Sequence, residues 1–282
     1  MRIYTVQRGD TLAKIARKFK VSMDTLVRLN RIRNPDKISV GAQFQIPELT
    51  TDAMDGPPID TESPPQPAPT FSLPINRTRF VLPQREYYRE LTDKDLIVLH
   101  FTAGRDARGA FDTWMNNPEH VGTSYIVDTD GTIYEIFEPS YWAYHLGVKG
   151  ISAHDKRSIG IEIANVGPLK PSSTDPNLLN WWPKDWGTPW CEKAQTDRCV
   201  EAEFRGIHWF ASFPDAQVDS VRALVSYLCD RFGIKRTLSP RSRRSEYDMG
   251  YFRGYKGVAA HQNFRADKWD LGPGFNWDKL GL

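Results

Sequence analysis

The sequence predicts an α/β protein built as two unequal folded parts, and three observations carry that prediction. From Tyr87 onward, short apolar runs alternate with helical stretches. Residues 49–78 contain Gly56-Pro57-Pro58 and Ser63-Pro64-Pro65-Gln66-Pro67-Ala68-Pro69, which remove backbone donors, favour an extended polyproline conformation and leave almost nothing apolar to bury. Ahead of this tether, residues 1–48 hold signals for two strands and two helices. A chain of 282 residues has room for about two domains at roughly 150 residues each. The expected boundaries are 1–48, a linker over 49–78 and a larger domain over 79–282.

Each element has a local reason. Ile3-Tyr4-Thr5-Val6 reads as a strand. Asp10 or Thr11 caps a helix whose apolar face is Leu12, Ile15, Ala16 and Phe19, and Ser22 caps a second helix carrying Leu26 and Leu29. Gln43-Phe44-Gln45-Ile46 closes a βααβ unit before Pro47. In the larger part, Leu96-Ile97-Val98-Leu99 is a continuous apolar run, hence a buried strand, and it ends in His100. Tyr125–Asp128 and Ile133–Phe137 flank an Asp130-Gly131 turn and predict a hairpin. Ser158–Ala164 is a further strand. Residues 216–232 place Val218, Val221, Leu224, Val225, Leu228 and Phe232 along one helix face, with Cys229 close to that core.

Composition narrows the function classes. No apolar run approaches the roughly 18 residues of a membrane span. The net charge of +2 argues against a nucleic-acid partner. That total conceals a partition: +6 over residues 1–48, −4 over 49–76 and zero over 77–282. Cys191, Cys199 and Cys229 are too few for a disulfide scaffold or a four-thiolate zinc site, and allow one disulfide at most. The N-terminus lacks the apolar stretch of a signal peptide, so export is expected by another route or from a trimmed chain.

Tyr4-Thr5-Val6, Gly9-Asp10-Thr11-Leu12, Ile15-Ala16, Leu26, Asn30, Ile38, Val40-Gly41 and Ile46-Pro47 together resemble the LysM motif, with Ala42 where the family usually has Gln. The resemblance implies a module that binds N-acetylglucosamine-containing glycans of peptidoglycan or chitin, with Asp10 and Thr11 in the binding loop. Read from the residues alone, both are equally well explained as helix caps.

In the larger part, two imidazoles and a carboxylate at His100, His261 and Asp270 are a donor set that suits zinc and leaves a fourth position for water. Spacing by itself favours a structural role for His100, as for most histidines that end a strand. The ordered motifs His100-Phe101-Thr102-Ala103-Gly104, Asp130-Gly131-Thr132, Trp142-Ala143-Tyr144-His145-Leu146-Gly147, Ile159-Gly160-Ile161-Glu162 and His261 followed by Lys268-Trp269-Asp270-Leu271-Gly272-Pro273 resemble the type 2 N-acetylmuramoyl-L-alanine amidases over residues 87–282. That resemblance implies a mixed central sheet flanked by helices and one zinc ion on His100, His261 and Asp270. It further implies Glu162 and Lys268 as catalytic residues, and His145 as a substrate or oxyanion contact. Thr123 stands where other branches carry a tyrosine, and Leu271 where a proline commonly follows the aspartate.

The implied protein is a peptidoglycan hydrolase anchored to the wall by LysM: an autolysin, an endolysin or an injected antibacterial effector. The rivals are a cytoplasmic recycler of anhydro-muropeptides and a non-catalytic peptidoglycan-recognition protein. The sequence names no immunity or secretion partner. Residues 168–214 form an insertion rich in tryptophan (Trp181, Trp182, Trp186, Trp190 and Trp209). It is expected either to line a glycan groove or to pack as a lid over its own core, with Cys191 and Cys199 available as a staple. The cluster Arg241-Ser242-Arg243-Arg244 reads as a solvated loop, and His120, His154 and His208 show no ligand pattern.

Overall fold

The computed structural model describes residues 2–7, 10, 12–19, 21, 23–30, 32, 38–47, 73–115, 117, 119–148, 152–181 and 188–282. The chain divides into two compact units, Met1–Thr70 and Phe71–Leu282.

In the first unit, β1 (Arg2–Thr5), α1 (Leu12–Phe19), α2 (Met23–Asn30) and β2 (Gln43–Ile46) follow in order, and β1 pairs antiparallel with β2. This is the expected βααβ arrangement. Val6, Leu12, Ile15, Leu26, Phe44 and Ile46 form its core. So small a core needs polar reinforcement. Asn30 supplies some: its amide donates to the Leu26 and Gln45 carbonyls and accepts the Gln45 N–H, tying the end of α2 to β2.

The second unit is built on a six-stranded mixed sheet. Its strands are β3 (Ile75–Asn76), β4 (Leu96–Phe101), β5 (Tyr125–Val127), β6 (Ile133–Glu135), β7 (Ser158–Ile163) and, after the insertion, β13 (Gly257–Ala260), in the spatial order β13-β4-β7-β5-β6-β3. The first four of that order run parallel, and β5 and β6 are the antiparallel hairpin around Gly131, at φ +85°. β3 lies in residues expected to belong to the tether. Its two residues pair with Ile133 and Tyr134, so the sheet begins earlier than position 79.

Helices α3 (Ala107–Met115), α4 (Ser152–Arg157), α5 (Asp215–Phe232) and α6 (Met249–Phe252) complete the unit. Side chains alternate across a sheet with period two. Ile97, Leu99, Ile159, Ile161 and Ile163 meet Val218, Val221, Leu224, Val225 and Leu228 of α5 on one face, and Cys229 sits in that core. Leu96 and Val98 point to the other face and pack with Leu146, Phe252, Ala259 and Phe264. His100 continues that second series, and so do Gly160 and Glu162 on β7. The site therefore opens on the face opposite α5.

The insertion is more ordered than its composition suggests. β8 (Pro168–Pro171), β9 (Leu178–Trp181), β10 (Cys191–Glu192), β11 (Cys199–Phe204) and β12 (Ile207–Ala211) form a second, antiparallel sheet in the order β10-β9-β8-β12-β11. Its core is Val166, Leu169, Leu179, Cys191, Cys199 and Ala211, and both cysteines are free thiols. Among the described residues no helix is long and apolar enough to cross a membrane.

Candidate active site

Three neighbouring parallel strands, β13, β4 and β7, deliver the site at their C-terminal ends, where open α/β sheets usually bind ligands. His100 is the fifth residue of β4. Glu162 is its direct partner on β7, so the two side chains leave the sheet side by side. His261 begins the turn that immediately follows β13. Asp270 arrives on a loop, and its Oδ2 accepts the Phe101 N–H at 3.1 Å. The ligand atoms of His100, His261 and Asp270 all lie within 4.8 Å of one another, and all three residues are buried.

Hydrogen bonds fix the tautomers and test whether these residues fit a cation. Ser158 Oγ spends its proton on the His154 carbonyl, 2.5 Å away. It must therefore accept from His145 Nε2, at 2.8 Å, which leaves His145 Nδ1 bare. Nδ1 of His145 in turn accepts from His100 Nε2 at 2.9 Å, so His100 Nδ1 is also bare. His261 Nε2 donates to the Leu146 carbonyl at 3.0 Å, and its Nδ1 is bare by the same logic. The two unprotonated Nδ1 atoms face each other at 2.9 Å, with Asp270 Oδ2 3.8 Å from that of His261. Burial holds the pKa of His100 well below the usual imidazole value, so its ring gains no proton to bridge the gap. Two imidazole lone pairs and a carboxylate with no proton to share fit a divalent cation, and this donor set suits zinc.

The remaining residues surround a cavity of about 400 Å³ lined by the triad, Glu162, Lys268 and His145. Burial, and then the Asp270 carboxylate, push the Glu162 carboxyl up to about 8, against the pull of the Lys268 ammonium. Such a carboxyl exchanges protons near neutrality, as a general base must. His145 lines the cavity, yet both its ring nitrogens are already hydrogen-bonded, one to His100 and one to Ser158. It stands behind His100, with neither ring nitrogen left for a substrate. Ser158 was visible in sequence only as the first residue of a strand.

In the first unit, Asp10 Oδ2 accepts the Tyr4 hydroxyl at 2.7 Å and the Gln7 N–H at 2.8 Å, which lowers its pKa, the Gln7 bond contributing most. Its carboxylate thus closes the turn between β1 and α1. Thr11, Trp182 and Trp186 lie outside the described residues. Trp190 and Trp209 pack against the insertion's own core, with Arg105 and Arg198 over the first ring and Lys193 over the second. Trp181 lines a groove of about 440 Å³ that meets the main cavity at Thr102, Ala103 and Glu162. The insertion is therefore chiefly a self-packed layer, with one described tryptophan beside the cleft.

Comparison with known proteins agrees with this geometry. Residues 91–274, more than half of the chain, match the family described as N-acetylmuramoyl-L-alanine amidase. The chain belongs to that amidase family. Residues 4–47 match the LysM domain. The curated relatives align over short stretches of 44 to 48 residues. One is the secreted LysM effector ECP6 of Passalora fulva, 49% identical over 45 residues, which are 16% of this chain and 20% of the relative. Another is an endolysin of Bacillus phage B103, 48% identical over 44 residues, 15% of this chain and 17% of the relative. The chain thus spans a fifth or less of the length of these relatives. Among solved structures, the amidase is similar to the N-acetylmuramyl-L-alanine amidase AmiD from E. coli, at 22% identity and TM-score 0.42, covering 67% of this chain and 56% of that one.

Proposed function

We propose that this amidase is a zinc-dependent peptidoglycan hydrolase that cuts the amide between the lactyl group of N-acetylmuramic acid and L-alanine of the stem peptide. The carrying observation is the pair of bare Nδ1 atoms facing each other beside Asp270, in a cavity that also holds Glu162 and Lys268. His100, His261 and Asp270 would hold the zinc ion, which would supply the Lewis acidity for activating a water near neutral pH.

The chain's own residues do the rest. Glu162 accepts the proton of the attacking water and passes it to the departing alanine nitrogen, acting as base and then as acid. Lys268 places an ammonium where negative charge develops on the carbonyl oxygen. His145 and Ser158 hold the imidazole of His100. The LysM domain, with its excess of basic residues, holds the enzyme on an anionic wall and raises the local concentration of bonds to cut.

Digestion of purified sacculi with and without chelator, followed by mass spectrometry of the products, tests this reading. The expected products are stem peptides with a free L-alanine amino group and glycan strands with free lactyl carboxylates. Release that persists after complete metal removal, or new reducing sugar ends in place of peptides, overturns it.

A further inference from the structure

The insertion ends in a hairpin that reaches the loop carrying Lys268 and Asp270. Between β11 and β12, Arg205 and Gly206 form a two-residue turn with φ +53° and +78°. Two positive φ values are what such a tight hairpin requires, and Asn-Gly is its favoured sequence. Arginine in this region is uncommon and is strained by comparison. The side chain shows what is gained in exchange. Its Nη1 donates to the Ala266 carbonyl at 2.8 Å and to the Lys268 carbonyl, the carbonyls of the two residues that flank Asp267. The carboxylates of Asp267 and Asp270 act on the same guanidinium.

The strand that follows extends the contact past Asp270. A Cβ on Gly274 would stand 2.2 Å from the Ala211 carbonyl oxygen, and one on Gly272 3.5 Å from the Phe210 ring. The Phe213 N–H points at the Gly274 carbonyl. The loop is therefore held on both sides of Asp270 by one hairpin of the insertion. On the sheet side the Asp270 carboxylate accepts the Phe101 N–H.

We infer that Arg205 is a positioning residue: it fixes the Ala266–Lys268 backbone so that the Lys268 ammonium and the Asp270 carboxylate stay directed into the cleft. This rests on the amidase reading for the roles of those two residues. It assigns the insertion a task, bracing the metal loop, that the tryptophan-rich composition does not announce.

The test uses Arg205→Asn in the full-length protein. Asparagine tolerates positive φ, so the turn is kept while the guanidinium is lost. The expected result is a thermal midpoint equal to or above that of the parent. Zinc affinity, measured by competition with a chromophoric chelator, falls by about tenfold or more, and kcat at saturating zinc falls on the same scale with KM little changed. Arg205→Lys, which keeps one cationic donor, falls between. On a Lys268→Ala background the loss of kcat caused by Arg205→Asn shrinks, because the two changes act through one group. Unchanged zinc affinity and kcat, an undiminished loss on the Lys268→Ala background, or a fall in thermal midpoint that tracks the loss of activity each overturn the inference. A parent protein that releases no stem peptides defeats the amidase reading, while zinc affinity still tests the brace.

Discussion

Nε2 of His100 and Nδ1 of His145 stand 2.9 Å apart, and the Ser158 hydroxyl decides which of the two carries the proton. The consequence reaches the candidate metal site. Only with the proton on Nε2 does His100 offer a bare Nδ1 to the space shared with His261 and Asp270. Ser158→Ala removes the acceptor that holds the His145 proton and leaves the backbone of β7 intact. Zinc affinity is expected to fall by about 10- to 100-fold, the usual range for partners that orient a ligating imidazole. The metal-free protein should keep its thermal midpoint. Competition against a chelator of known affinity checks this, and an unchanged dissociation constant sinks the tautomer argument.

Glu162 offers a cleaner separation of chemistry from binding. Glu162→Gln keeps the shape of the side chain and removes its capacity to take a proton. The expected loss is about 10²- to 10⁴-fold in kcat on a soluble muropeptide. Zinc content, by elemental analysis, and retention on insoluble cell wall should match the parent. A variant that still turns over within a few-fold of the parent would remove Glu162 from the mechanism.

Lys94 predicts a pH dependence of stability. It is 5% exposed, and its Nζ donates to the carbonyls of Tyr141, Lys156 and Ser158. Burial pushes its pKa down to about 7, against the charges of Asp155 and Glu90. The unfolded value is about 10.4. Between these limits the unfolded chain binds a proton that the folded one does not, so the contribution to stability rises with pH and is lowest below pH 7. Lys94→Met removes this dependence along with the hydrogen bonds of the amine. Denaturant unfolding at pH 6.5, 7.5, 8.5 and 9 should show the parent gaining on the variant by up to about 1.4 kcal/mol per pH unit above 7. Parallel stability curves would mean that the lysine keeps its proton in the folded state.

The sequence made individual ligands legible and left their arrangement unreadable. His100 and Glu162 are legible as site residues through the motifs that resemble the amidases, while the apolar runs around them show only that both lie on strands. That the two are register partners follows from the pairing of β4 with β7, which no local pattern encodes. The His145 ring was placed near the pocket by its motif. Its partners lie 45 and 13 residues away, and those contacts decide that it faces a ligand and a serine. Ile75–Asn76 was hidden by the proline-rich composition beside it, since two residues carry no periodicity. The insertion's strands were obscured by turns and tryptophans, and Arg205 could be suspected only from the Arg-Gly pair at a hairpin tip.

Gly160 tests how tightly the ligand and its support are packed. It lies in the middle of β7, two residues from Glu162 and on the same face, where an isolated glycine weakens a strand unless a close approach requires it. Here one does. A Cβ at this position would meet Thr123 Cγ2 at 2.7 Å and His145 Cγ at 3.1 Å. Thr123 is buried and donates its hydroxyl to the Tyr125 carbonyl, and the His145 ring is held at both nitrogens, so neither can yield without breaking a hydrogen bond. Gly160→Ala is therefore expected to cost about 1–3 kcal/mol of stability through overpacking and to displace His145 from His100. Stability and zinc affinity should fall together, whereas Ser158→Ala lowers affinity alone. A Gly160→Ala protein with parental stability and affinity would show that the His145 ring has room to shift, and that its contact with His100 is looser than the 2.9 Å separation implies.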